Sequence, residues 1–214
     1  MKREGAGKIE QFIRAMPKAE IHLHLEGAIP HETLLAQIHR KGTEPKIRTV
    51  EDLKAKLTYT DFPSFIDLWI WKNTFIKDEK DFEEIAYAML GGLSRQNVKY
   101  VEAFYAPGDY SRFGLSTEGI TECVIAGKER ARSDFGIRCE LIVDLIRDHG
   151  PEIGMKRLDE VTPYLGSGVI GIGIGGSEQI FPPGPYAEVY GEARRRGFRL
   201  TAHAGEVAGP SAWT

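Results

Sequence analysis

Two apolar, strand-like runs far apart in the chain, Ile21-His22-Leu23-His24-Leu25-Glu26-Gly27 and Thr201-Ala202-His203-Ala204-Gly205-Glu206, carry three of its six histidines. Side chains at i and i+2 of a strand share a face, so His22 and His24 point the same way and can grip one ion together. His203 has to arrive from the other end of the chain. That need restricts the fold to those in which the first and a late strand end at one place. A parallel barrel does this, because the C-terminal ends of its strands surround a common mouth.

The intervening sequence alternates helical and strand patterns, as an α/β protein with a parallel sheet requires. A short helix over residues 9–15 stops before Pro17, and the first strand covers 19–25. A helix from about Pro30 carries Leu34, Leu35 and Ile38 on one face and ends at Gly42. Thr49-Val50-Glu51-Asp52 resembles a capping box opening a short helix through Leu57. Phe62, Phe65, Leu68, Trp69 and Phe75 then recur at helical spacing. Asp81 is the expected cap of a long helix bearing Phe82, Ile85, Ala86, Met89 and Leu93. Strands over 98–105, 138–145, 169–174 and 198–202 follow, separated by helices over 117–135, 152–165 and 186–195. Five βα units are present where a (β/α)₈ barrel has eight. The expectation is one domain over residues 1–214, a TIM-type barrel whose strands six to eight are absent.

Composition bounds the function. A formal charge of −3 supplies no basic surplus for a nucleic-acid backbone. No apolar run is long enough to span a bilayer, and no apolar stretch follows the charged start, so neither a membrane nor a signal peptide is expected. Cys123 and Cys139 are too few for a disulfide framework and lack CxxC spacing, which makes a reduced, cytoplasmic setting the default.

Alone, the HxH pair reads equally as two strand-end histidines held by backbone hydrogen bonds. Two such histidines and a third at the end of strand five, across an eight-stranded ring, read as a metal centre at the barrel mouth. Zinc suits neutral imidazoles, and a catalytic zinc keeps a position open for water whose pKa it lowers to roughly 7. Glu206, in the turn after strand five, is placed to donate a proton if burial keeps its carboxyl protonated. Its plain alternative is a solvated loop acid.

Pro17-Lys18-Ala19-Glu20-Ile21-His22-Leu23-His24-Leu25-Glu26-Gly27 and His203-Ala204-Gly205-Glu206 together resemble the two opening motifs of the adenosine deaminase family. The resemblance runs over essentially the whole chain. It implies a zinc-dependent (β/α)₈ barrel with one Zn2+ per chain held by His22, His24 and His203. It implies a small-molecule purine substrate, with Glu206 as the acid that protonates the ring nitrogen beside the attacked carbon. The amine would leave as ammonia and an oxo-purine would result. Glu26 stands where adenosine-specific members usually have aspartate near the sugar, a form similar to adenine deaminases. The histidine and aspartate pair that the family uses after strands six and eight are outside this sequence, so the isolated chain is expected to have low or no activity. Two other readings are an inert barrel piece that serves assembly, and another metal-dependent amidohydrolase. Members of the second often use a carboxylated lysine that bridges two metals, and no lysine ends strand four here, which disfavours it.

Gly171-Ile172-Gly173-Ile174-Gly175-Gly176 formally satisfies GxGxxG, but the glycines lie inside a strand pattern and no helix start follows. A bare backbone for a planar ligand fits better, with Gly176 matching a purine contact of the family and strand packing as the alternative for Gly171 and Gly173. Phe62, Phe65 and Trp69 are candidates for an apolar lid or for core packing. Arg147 and His149 read as loop residues. His31 and His39 read as solvated, and Arg194-Arg195-Arg196 as a helix end. An open sheet would leave unpaired edges, so self-association through the open barrel edge is expected.

Overall fold

The computed structural model describes residues 2–206. Its elements are α1 (Lys2–Ala15), β1 (Lys18–His24), α2 (His31–Lys41), α3 (Val50–Lys56), α4 (Phe62–Asn73), α5 (Glu79–Ser94), β2 (Val98–Tyr105), α6 (Thr117–Phe135), β3 (Arg138–Asp144), α7 (Pro151–Val161), β4 (Val169–Gly173), α8 (Ala187–Arg196) and β5 (Arg199–Leu200). The strands form one parallel sheet in the order β1-β2-β3-β4-β5.

Local chemistry sets most helix ends. Thr49 accepts from the Asp52 amide while Asp52 reaches back, the capping box expected from the sequence. Asp61 and Ser64 do the same for α4. The cap of α5 is Asp78, and Asp81 is its N3 partner, so the expected cap is displaced by one turn. A carboxylate at either position can satisfy orphan amides, and Asp81 Oδ2 takes those of Lys77 and Asp78. Gly42 and Gly136 end α2 and α6 in left-handed conformations. Helix α1 begins at Lys2 rather than at residue 9; its two early glycines weaken the helix without stopping it.

The strands' outer faces and the helices share the core, with Phe82, Ile85, Leu90, Val101, Tyr105, Val124 and Val143 fully buried. Strand β5 is shorter than the expected 198–202, yet its ladder goes on: Thr201 and His203 amides donate to the carbonyls of Ile172 and Ile174. Laid flat, five strands would separate β1 from β5 by about 19 Å. Side chains from the two edges instead touch at 2.9 Å. The sheet is therefore curled into a barrel arc, and its concave face holds the site.

Candidate metal centre

His22 and His24 end β1, and His203 follows β5 on the continued ladder. His203 Nε2 lies 2.9 Å from His22 Nε2 and 3.0 Å from His24 Nε2. The three ligand atoms all fall within 4.8 Å of one another, which suits three nitrogens around one cation. Burial, and then the neighbouring His203, push the His24 imidazole down to about 4 and lower that of His22. Neutral imidazoles are the form that binds a metal.

The rings sit on a hard floor. Phe104 stacks on His22 with centroids 4.4 Å apart and on His24 at 5.1 Å. Gly173 leaves room for it, since a Cβ there would come within 2.9 Å of the Phe104 ring. Gly171 serves strand packing: its Cβ would lie 2.7 Å from the Arg199 carbonyl oxygen. The packing alternative thus accounts for both glycines.

The other expected site residues are placed as follows. Glu206 pairs with His203, Oε2 lying 2.9 Å from Nδ1, and its side chain is 47% exposed. The burial on which its expected protonation depends is therefore absent among the described residues. Glu26, just past the end of β1, is buried at 1% exposure; Oε1 accepts from the Ala106 amide at 2.9 Å and Oε2 has no partner among the described residues. Gly176 adopts a φ of +96°, and the space its Cβ would take is filled by Asp148 and Arg147. Its conformation and its neighbours both demand glycine. Phe62, Phe65 and Trp69 line up outside the core, in a ladder with Phe65 centroids 6.1 Å from Phe62 and 6.0 Å from Trp69. A cleft of about 370 Å³ lined by Tyr59, Thr60, Asp61, Phe62, Phe65 and Glu206 runs beside them, which supports the lid over the core reading.

Five further residues carry no functional expectation from the sequence. Arg147 is 2% exposed rather than a loop residue in solvent, and donates to the carbonyls of His203 (2.7 Å), Gly175 (3.1 Å) and Phe181 (3.2 Å). It is aimed there by a turn in which Ile146 takes φ +43°, a strained value for a β-branched residue. His149 Nε2 is 3.3 Å from Asp109 Oδ1 and half-buried, and His39 bonds the Ile47 carbonyl at 2.9 Å. Lys72 is buried over the Trp69 ring at 4.0 Å and donates to the Glu26 carbonyl and to Asn73. Asp144, 3% exposed at the end of β3, stands 3.7 Å from His24 Nδ1. Its only signal was an acid closing an apolar strand run, at the end where barrels keep their chemistry.

A family model described as adenosine deaminase matches residues 17–213. The chain belongs to the adenosine deaminase family. It is 33% identical over 199 residues to an adenine deaminase of Rhodospirillum rubrum, covering 93% of this chain and 59% of that protein. It is 33% identical over 203 residues to an adenine deaminase of Saccharomyces cerevisiae, covering 92% and 58%. The crystal structure of an adenine deaminase from Arthrobacter aurescens superposes with a TM-score of 0.83 at 30% identity, over 93% of this chain and 61% of that one. An amidohydrolase from Burkholderia ambifaria with bound zinc gives 0.82 at 30% identity, over 92% and 54%. These two structures bear out a barrel fold of which this chain holds part, and the chain spans 58–59% of these curated relatives.

Proposed function

We propose that this chain, as a single domain over residues 1–214, is part of a zinc-dependent hydrolase that converts an aminopurine to the oxo-purine and ammonia. The observation that carries the reading is the meeting of three imidazole Nε2 atoms from both edges of the sheet. The relatives' names support the aminopurine class, and the zinc-bound amidohydrolase neighbour supports a divalent metal. Adenine heads the substrate list, because Glu26 replaces the aspartate expected of adenosine-specific members.

Three neutral imidazoles fit zinc and leave a coordination position for water. Zinc held there supplies Lewis acidity and a water that ionises near neutral pH. His22, His24 and His203 hold the ion, and Phe104 keeps two of the rings in place. Glu206, beside the cleft, is the acid for the substrate ring nitrogen, and a bound base with the lid over it supplies the burial that the open site lacks. Phe62, Phe65 and Trp69 cover the apolar faces of the base and exclude water. Gly176 presents bare backbone to the ring edge, and Glu26 reaches a polar substrate atom once its buried, unpartnered Oε2 turns into the site. Two unpaired cysteines agree with a reducing, cytoplasmic setting, and among the described residues no helix is long and apolar enough to cross a membrane. The outer edges of β1 and β5 have no strand partner among the described residues, and we read them as a surface for self-association.

The test is zinc content and ammonia release. The purified chain should hold about one zinc, and His22→Ala should lose it. Ammonia release from adenine should exceed that from adenosine in a chain extended to its relatives' length. A folded chain that binds no metal, or an extended one that releases no ammonia from any aminopurine, overturns the reading.

A further inference from the structure

Asp144 and Gly175 form a complementary pair across β3 and the end of β4. A Cβ built on Gly175 would lie 2.8 Å from Asp144 Oδ2 and 3.3 Å from Oδ1. Gly175 is absent from the glycines with positive φ. An L side chain would therefore meet no conformational barrier there, and space alone requires the glycine. That space is filled by the Asp144 carboxylate, whose Oδ1 accepts from the Gly175 amide at 2.7 Å.

Oδ2 faces His24. The ring turns Nε2 toward His203, 3.0 Å away, and Nδ1 toward Asp144, 3.7 Å away. One edge of the imidazole thus looks at the histidine cluster and the other at a buried acid. An imidazole that binds a cation through Nε2 carries its proton on Nδ1, and a carboxylate facing Nδ1 selects that tautomer and orients the ring. We propose that Asp144 is a positioning residue that sets the tautomer and ring orientation of His24 for a bound cation, and that Gly175 is the room strand four leaves for it. The inference rests on the metal reading of the three histidines and adds a residue that reading does not contain.

A purely structural role, accepting the Gly175 amide, makes a different forecast. Asp144→Asn keeps an oxygen for that amide and loses only the charge. Zinc affinity, measured by competition with a chromophoric chelator on protein with wild-type circular dichroism, should fall about 10- to 100-fold in Asp144→Asn, the usual cost of losing such a partner. Gly175→Ala, which keeps the acid and displaces it, should weaken zinc in the same direction. A carboxylate returned from strand four by Gly175→Asp on an Asp144→Ala background enters the vacated space and should restore affinity relative to Asp144→Ala. In metal-free protein, nitrogen-15 shifts should show the His24 proton on Nδ1 in wild type and shared between both nitrogens in Asp144→Asn. Wild-type affinity in Asp144→Asn, a folded double variant without recovery, or an unchanged tautomer overturns the positioning role. A folded wild-type chain that holds no zinc overturns instead the metal reading, and this inference falls with it.

Discussion

Glu26 and Lys72 are buried side by side, the Lys72 ammonium donating to the Glu26 carbonyl, and each charge is costly there. Burial pushes the Glu26 carboxyl up from 4.5 to about 7, against the pull of the Ala106 amide, and pushes the Lys72 ammonium down. The folded state therefore holds the Glu26 proton more tightly than the unfolded chain does. That contribution to stability is complete below about pH 4.5 and is lost as pH rises through about 7. Urea unfolding followed across this window should show the stability of Glu26→Gln, which stays neutral, gaining on wild type by on the order of 2 kcal/mol. A constant difference between the two across that window would show that burial does not perturb Glu26. The motif brought Glu26 and the histidines to notice, because residue type and i, i+2 spacing are written in sequence. The depth at which Glu26 lies was not, nor was the aim of Arg147, since both depend on which distant backbone comes to rest on them.

Helices α5 and α6 cross at Gly127, where an added Cβ would stand 2.5 Å from the Glu83 carbonyl oxygen. Backbone cannot yield there as a flexible side chain would, so Gly127→Ala should cost about 1–3 kcal/mol by overpacking. At roughly 2–4 °C per kcal/mol for a chain of this size, calorimetry should show Tm lower by several degrees. Gly92 on α5 is the control: its nearest neighbour is the end of Arg95 at 3.8 Å. Alanine there removes a helix glycine at no steric cost and should leave Tm unchanged or raise it. Equal effects at the two sites would refute the close crossing. Strand β2 and helix α6 have the bounds their periodicity predicts, because apolar spacing and flanking turn residues act locally. Strand β5 and the α5 cap were misjudged where pairing with β4, or a second carboxylate one turn away, made the choice.

Across the molecule, β1 and β5 end the sheet without partners among the described residues, and exposed apolar groups lie on β1 and on the helix before it. Ile21 is 64% exposed and Phe12 on α1 67%. An unpaired edge beside exposed apolar surface favours association. Sedimentation velocity should show mass rising with concentration, and Ile21→Lys should suppress it, while Ile180→Lys, in the loop after β4, should not. A monomer at every concentration would refute the edge as a contact surface. The sequence by itself determined the alternation of helices and parallel strands, most helix caps, and His22 and His24 as a pair on one strand face, since all of these follow from residue type and short-range period. Only the curvature of the sheet decided that His203 meets His22 and His24, that Asp144 stands behind one of the rings, and that Glu206 lies open to water. Those are distances between residues far apart in the chain, and no local pattern encodes how far a sheet curls.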